Sequence, residues 1–375
     1  MSNLPTRTEN PDFLEFTYRE LWLAAGAQLE DAQAVARGVS LGDRMGKLSQ
    51  GLGVLDCILF ALGAGILNLA SVPELVDEGP SWALYDGHQA TGFWTLTKAT
   101  LHAIEKARTT GIAIAMARRH NDAGSFFTYT SLALEHDMFA LASNNSPPLV
   151  SPWGGMENVL SGAPFSAASP GGEEPPLITD FACIPLHDGN MSEAAFNGQK
   201  LKGKYLVDPN SGELTDDPQP YVIPVSGYGR FCASRAASVF DSPRLYAMNV
   251  FTEMLSSIIV PGATITPELP HGKGSWKQKW DGGSVGGSAI IVIDPACFGS
   301  IDDVKGRSDR FVRKVKAAKT LPDVDEIHLP GERGYRAWQD NAPVEILETH
   351  WQPFLGHLER YGLDIDTLKS EWRAQ

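Results

Sequence analysis

Within five residues, Arg118-Arg119-His120-Asn121-Asp122, the chain places two guanidiniums, an imidazole and a carboxyl directly after the apolar run Ile112–Ala117. Arginine forks bind carboxylate or phosphate oxygens in pairs. An imidazole, or a carboxyl whose burial raises its pKa, exchanges a proton near neutral pH. Such a set suits a site that holds a small anion and moves a proton. A solvated surface loop has the same composition, so the surrounding elements have to decide.

Ile112–Ala117, behind Gly111, reads as a buried strand. Arg118–Gly124 follows as a polar turn, and Ser125–His136 as a helix with Phe127, Leu132 and Leu134 among its apolar positions. In α/β sheets, ligands bind beyond the carboxyl ends of strands, where this turn lies. Further strands are expected at Trp82–Tyr85, Phe139–Ser143, Leu177–Asp180 and Ser288–Asp294. Helices are expected at about 11–25, 30–41, 52–62 and 92–108, the last with Trp94, Leu101, Ile104 and Ala107 inward. Others fall at 245–259, from 301 with Val304, Phe311 and Val315 inward, and at 353–361. Residues 186–230 read as loop-rich, and 260–287 as an exposed excursion rich in Gly, Pro, Lys and Trp. Helical ends around a mixed middle predict a discontinuous helical domain, 1–80 plus 300–375, beside a mixed α/β domain, 81–299. The cleft between them is the expected ligand site.

At 375 residues two domains are the natural expectation. The net charge of −14 argues against nucleic acid or an anionic membrane surface as partner, but leaves room for a small anion on a local arginine. Cys57, Cys183, Cys232 and Cys297 lie far apart with no CxxC pair, as expected of reduced thiols. The nine histidines show no metal-ligand spacing, so no metal is expected. The first residues, MSNLPTRTENPDF, hold no apolar leader, and no apolar run approaches the roughly 18 residues of a membrane span, so a cytoplasmic location is expected. No GxGxxG follows a strand: Gly51-Leu52-Gly53 and Gly63-Ala64-Gly65 lack the third glycine. P-loop and HExxH motifs are absent from the sequence.

Five stretches, in order, carry a resemblance: AIEKARTTGIAIAMARRHNDAG at 103–124, SNNSPPLVSPWGGMENVLSGAP at 143–164, GKYLVDPNSGELTDDP at 203–218, IDPACFG at 293–299 and LPGER at 329–333. With the N-terminal helices, their order and spacing resemble the malate/L-lactate dehydrogenase family of the second type, a group that includes ureidoglycolate, sulfolactate, 2,3-diketogulonate and cyclic-imine reductases. The resemblance covers nearly the whole chain. It implies an α/β fold with a mixed-sheet, non-Rossmann NAD(P)-binding domain, a homodimer, NAD or NADP as cofactor, and a 2-oxo acid or cyclic imine as small-molecule substrate. Carried over position by position, cofactor contacts would fall at Ser146, on Asp180, Phe181 and Ala182, at Arg244 where the family commonly has lysine, and on Gly331, Glu332 and Arg333.

The departures from the pattern are chemical. The family's Ser-His-Gly, followed by a carboxylate-binding arginine, reads here Ser49-Gln50-Gly51, with Val54 at the arginine position. Its acid/base histidine, in an Asn-His-Phe-Gly turn, falls without gaps on Asp122; a small gap would put His120 there instead. The proton donor is therefore Asp122 or His120, with Ser49 and Gln50 orienting the substrate. Leu160-Ser161-Gly162-Ala163-Pro164 stands where the family has a Gly-Thr-Asn-Pro turn. About 11 extra residues around Ser226–Phe240 bring Tyr228, Arg230 and Arg235, either as a cap on the cleft or as surface decoration. An NAD(P)-dependent oxidoreductase acting on a small carbonyl, hydroxy-acid or cyclic-imine substrate is the leading expectation, in a cleft that the loss of the arginine makes less suited to a 2-oxo carboxylate and more tolerant of a neutral or larger group. A lyase or isomerase on the same scaffold, and a non-catalytic descendant, are the alternatives.

Overall fold

Helix-period and strand-period segments resolve into a seven-stranded mixed sheet with helices packed around it. The structure, a computed structural model, describes residues 5–47, 49–224, 232–234, 237–270 and 285–374. Strand β1 (Thr6–Glu9) leads into α1 (Pro11–Ala24), α2 (Leu29–Arg44) and α3 (Leu52–Gly63). Asn10 caps α1 by accepting from the Asp12 and Phe13 N–H groups, with Pro11 in the first turn. Phe13, Leu14, Leu21 and Trp22 pack with Val35, Val39, Leu55 and Ile58 into one core, joined by the C-terminal Ile346, Trp351, Phe354 and Leu358.

The sheet follows, as β2 (Glu74–Gly79), β3 (Trp82–Asp86), α4 (Gly92–Thr110), β4 (Ile112–His120), α5 (Phe127–Leu134), β5 (Phe139–Asn144), β6 (Pro164–Ser169) and β7 (Leu177–Ala182). Next come α6 (Asp188–Phe196) and the short strands β8 (Leu206–Val207), β9 (Leu214–Thr215), β10 (Val222–Pro224), β11 (Cys232–Ser234) and β12 (Ala237–Ser238). Helix α7 (Pro243–Glu253) runs into a π-helical turn, Met254–Ile258, and β13 (Val285–Ile293) returns to the sheet. The chain closes with α8 (Ile301–Lys316), α9 (Glu332–Gln339), β14 (Val344–Leu347), α10 (Glu348–Arg360) and α11 (Ile365–Arg373).

Strand order is β2-β3-β4-β13-β5-β6-β7, with β3 and β4 parallel and every other pair antiparallel. Central β13 buries Ala289, Ile290 and Val292. Alanines at 113, 115, 117, 140 and 142 keep the sheet face shallow, so α4 and α5 seat closely through Leu96, Ile104, Phe126 and Tyr129.

Several expectations need correction. Strand β4 runs on through Arg118, Arg119 and His120, so the turn is only Asn121 onward. Both arginines are spent on Asp86, Arg118 Nε at 2.9 Å and Arg119 Nη2 at 2.5 Å, which holds that carboxyl below its usual range despite burial. Helix α5, Phe127–Leu134, is shorter than 125–136 at both ends; Ser125 lies in the turn before it, with its Oγ donating to Asp180. Leu101 and Phe311 face outward, at 43% and 52% exposed, while Val312 is buried in the place expected of Phe311. The N-terminal stretch also supplies a short strand, β1, which pairs antiparallel with β14 from the other chain end. Residues 186–230 hold α6 and short strands, and the 260–287 stretch ends inside the sheet from Val285. Tyr228, Arg230 and Arg235 lie outside the described residues.

Candidate active site

Three segments converge beyond the carboxyl ends of β4 and β7: the loop between α2 and α3, the Asn121–Ser125 turn, and the end of β7. Asp180 joins them. Its Oδ2 accepts from Ser125 Oγ at 2.7 Å and also receives Lys47 Nζ, which in addition donates to the Asp180 carbonyl at 3.2 Å. The Asp180 side chain is 7% exposed and that of Lys47 30%. The loop is held from behind by Asp43, whose Oδ1 accepts from the Leu52 N–H at 2.8 Å and whose Oδ2 accepts from Tyr18 Oη at 2.7 Å. It reaches the turn directly, since a Cβ placed on Gly124 would lie 3.7 Å from Gln50 O.

Asp122 stands in that turn. Its Oδ1 accepts from the Gly124 N–H at 2.9 Å. Burial raises its carboxyl pKa, outweighing the Gly124 and Ala123 amides. His120 is placed elsewhere. It is fully buried, with Nδ1 donating to Asn121 O at 2.7 Å and Nε2 accepting from Ser288 Oγ at 2.8 Å, and burial pushes it down to about 4. Both ring nitrogens are engaged within the protein. Val54, 2% exposed, belongs to the helical core and offers the site nothing polar.

The expected cofactor contacts border the same corner. Ser146 Oγ accepts from the Gly162 N–H at 3.0 Å. Asn249 Nδ2 donates to Ser161 O and Cys183 O, leaving its own Oδ1 buried and without a partner among the described residues; Asn144 Oδ1 is in the same state. Ala182 packs with Val150, Ile184, Leu245 and Tyr246, which sets the start of α7, and so Arg244, beside β7. Arg244 and Arg333 are exposed and form no ion pair among the described residues. Phe181 is 44% exposed against Phe165. Gly331 has φ 74° and abuts Ile178 of β7, where a Cβ would meet Ile178 Cβ at 2.8 Å. Glu332 turns away: Lys316 at 2.6 Å, Arg336 at 2.7 Å and the Leu329 N–H at 3.0 Å hold its carboxylate. Burial alone would raise its pKa, yet these partners lower it. Glu326, His328 and Glu332 bring ligand atoms within 4.8 Å of one another, in a knot that those two cations already neutralise.

Sequence reasoning missed Lys47, Ser125 and His187. Ser125 reads only as a helix start and Lys47 carries no local signal; the approach of β7, 55 residues beyond Ser125 and 133 beyond Lys47, gives them a partner. His187 caps α6, Nδ1 accepting from the Gly189 N–H at 3.1 Å. A Cβ on Gly189 would meet Ser49 Cβ at 2.7 Å and His187 Nδ1 at 3.3 Å, so glycine there lets α6 press against the Ser49–Gln50 loop. Cys183 sits close by, but burial pushes its thiol up to about 12, so it is no nucleophile at neutral pH.

The profile of the malate/L-lactate dehydrogenase family matches residues 10–352. The malate dehydrogenase of Pyrococcus abyssi is 27% identical over 349 residues, spanning 91% of this chain and 90% of its own. The ureidoglycolate dehydrogenase (NAD(+)) of Escherichia coli is 23% identical over 326 residues, 86% and 87% of the two chains. Among solved structures, the sulfolactate dehydrogenase from Methanocaldococcus jannaschii matches with a TM-score of 0.80 at 25% identity, over 96% of this chain and 99% of that one. The Δ1-piperideine-2-carboxylate reductase from Pseudomonas syringae shares the fold, with a TM-score of 0.76 at 23% identity over 92% and 98%. A profile match over nine-tenths of the sequence, on the same mixed sheet, places the chain in the malate/L-lactate dehydrogenase family, as an oxidoreductase.

Proposed function

We propose that the protein is a nicotinamide-dinucleotide-dependent oxidoreductase that interconverts a small 2-hydroxy acid and its 2-oxo form. The observation that carries this reading is the convergence on Asp180, which ties the loop bearing Ser49 and Gln50 to the turn bearing Asp122. The residues present fit the cofactor. The unpartnered, buried Asn144 Oδ1 and Asn249 Oδ1 suit a ligand bearing N–H or O–H donors, such as a carboxamide or a ribose. Arg244 and Arg333 supply cations for phosphate oxygens, beside Ser146 and Gly331. When bound, a nicotinamide supplies or accepts the hydride.

The chain's own part is the proton. Asp122 gives it, from Oδ2, to the oxygen of the substrate during reduction and takes it back during oxidation; its raised pKa suits that task. Ser49 and Gln50 orient the substrate, and His120 supports β4 from behind. Lys47 is tied to the turn through Asp180 and Ser125, in a site whose arginine position is an apolar core residue.

The test is absorbance at 340 nm with NAD+, NADP+, NADH and NADPH against L-malate, L-lactate, sulfolactate, ureidoglycolate, their 2-oxo counterparts and Δ1-piperideine-2-carboxylate. Stoichiometric cofactor turnover with a hydroxy acid is expected. No turnover anywhere on the panel, with no quenching of protein fluorescence by NADH or NADPH, would overturn the reading.

We further propose a homodimer. Val250, Phe251, Met254 and Ile258, on α7 and the turn continuing it, are 37%, 43%, 51% and 63% exposed, an apolar stripe at helical spacing.

A further inference from the structure

The site has lost the imidazole at both positions where the resemblance expected one, and His120 is locked into β4. One imidazole nonetheless lies against it. His187 is half-buried at the start of α6, and a single point, the missing Cβ of Gly189, lies 3.3 Å from its Nδ1, 3.1 Å from Ser49 Oγ and 2.7 Å from Ser49 Cβ. Its tautomer is set by the fold. Nδ1 accepts the Gly189 N–H, so the neutral ring carries its proton on Nε2. Burial lowers its affinity for a second proton, so the ring stays neutral near pH 7. Nε2 makes no hydrogen bond among the described residues, and neither does Ser49 Oγ. A neutral imidazole with one nitrogen fixed and an N–H uncommitted is a positioned hydrogen-bond donor, not a charge.

We propose that His187 is a substrate-binding residue, donating from Nε2 to the carbonyl or hydroxyl oxygen of the substrate beside Ser49 Oγ. This rests on the oxidoreductase reading and gives its choice of an oxo or hydroxy substrate a separate support. A fixed donor stabilises an oxygen that gains negative charge, as a ketone does on reduction, and offers nothing to a protonated imine nitrogen. The substrate is therefore an oxo or hydroxy compound rather than a cyclic imine. His187 takes over a role that Gln50 fills only weakly, since glutamine's amide is held by no partner among the described residues.

Two substitutions separate the roles of the ring nitrogens. His187→Asn keeps a side-chain acceptor at the cap, where Asn ranks among the preferred residues, but cannot reach the Nε2 position. His187→Gln carries an N–H group out to about that reach. Oxamate binding in the presence of NADH, by calorimetry, and kcat/KM for the best hydroxy acid of the panel are the readouts. His187→Asn is expected to weaken oxamate about tenfold and to lower kcat/KM about 100-fold, the scale of losing one such donor. His187→Gln is expected to recover at least a tenth of wild-type kcat/KM, with NADH affinity unchanged in both. Unchanged oxamate affinity and kcat/KM in His187→Asn would overturn the proposal, as would equal losses in the two variants. Failure of the wild-type protein to bind NADH would instead sink the oxidoreductase reading.

Discussion

Ser125 Oγ donates to Asp180 Oδ2 at 2.7 Å, and the same oxygen receives Lys47 Nζ. One carboxylate thus holds the turn after β4, the end of β7 and the loop before α3 in a fixed relation. A lone carboxylate at 7% exposure would be costly; a cation and a hydroxyl on one oxygen offset that cost.

Asp180→Asn removes the anion from this junction and leaves the ammonium on a neutral amide. Because Lys47 is 30% exposed, water takes over part of the lost interaction. The expected destabilisation is about 1–2 kcal/mol, below that of a sealed ion pair. Urea unfolding reads it, and NADH affinity should weaken in the same variant.

Asp122→Asn keeps the acceptor for the Gly124 N–H and removes only the titrating oxygen. The melting temperature should move little, while kcat falls about 100-fold or more, the range for losing a general acid. In the wild type, reduction needs the protonated form. Its rate should fall as pH rises through the raised pKa of Asp122, and oxidation should rise over the same interval. An unchanged pH profile in Asp122→Asn would show that another group carries the proton.

Ser288→Ala separates a structural His120 from a catalytic one. The variant leaves His120 Nε2 buried without its donor, at an expected cost of about 1–3 kcal/mol. Activity per folded molecule should stay within about threefold of wild type, the span of roughly 0.6 kcal/mol on the barrier. A selective loss of kcat without loss of stability would put His120 in the reaction.

Burial pushes Asp43 up to about 7, against 3.8 for an ordinary aspartate. The folded protein therefore holds this proton across a window in which the unfolded chain has released it. Asp43 contributes stability that is fully present below about pH 4 and is lost as pH rises through about 7. Asp43→Asn, which cannot ionise, should gain stability relative to wild type between pH 5 and pH 8. Chemical denaturation at those two pH values, compared between the proteins, measures it; a gap that stays constant would rule the linkage out.

Met254→Glu together with Ile258→Glu would place two charges on the exposed stripe of α7 and its π-helical continuation. Light scattering should then report a shift from dimer to monomer at micromolar concentration. A wild-type protein that is already monomeric would refute the homodimer.

Local sequence was enough for most of the scaffold. The period of apolar residues placed α1, α2, α3 and α4, and the short apolar runs placed β4, β5 and β13, because burial imposes a spacing of 3.6 or 2 on any chain that forms those elements. It was also enough for the family, through five ordered motifs, and for the absence of a Rossmann fingerprint. Pairing partners were not legible. Arg118 and Arg119 look catalytic in a string of letters and are spent on Asp86; Lys47 looks like a surface residue and is bound to Asp180. His187 was invisible as a site residue because nothing near it in sequence signals Ser49, almost 140 positions away. A side chain's chemistry depends on what desolvates it and what it touches, and both come from segments distant along the chain. The sequence determined which elements form; the tertiary structure alone decided which charges cancel, which imidazole is sealed in and which keeps a nitrogen free.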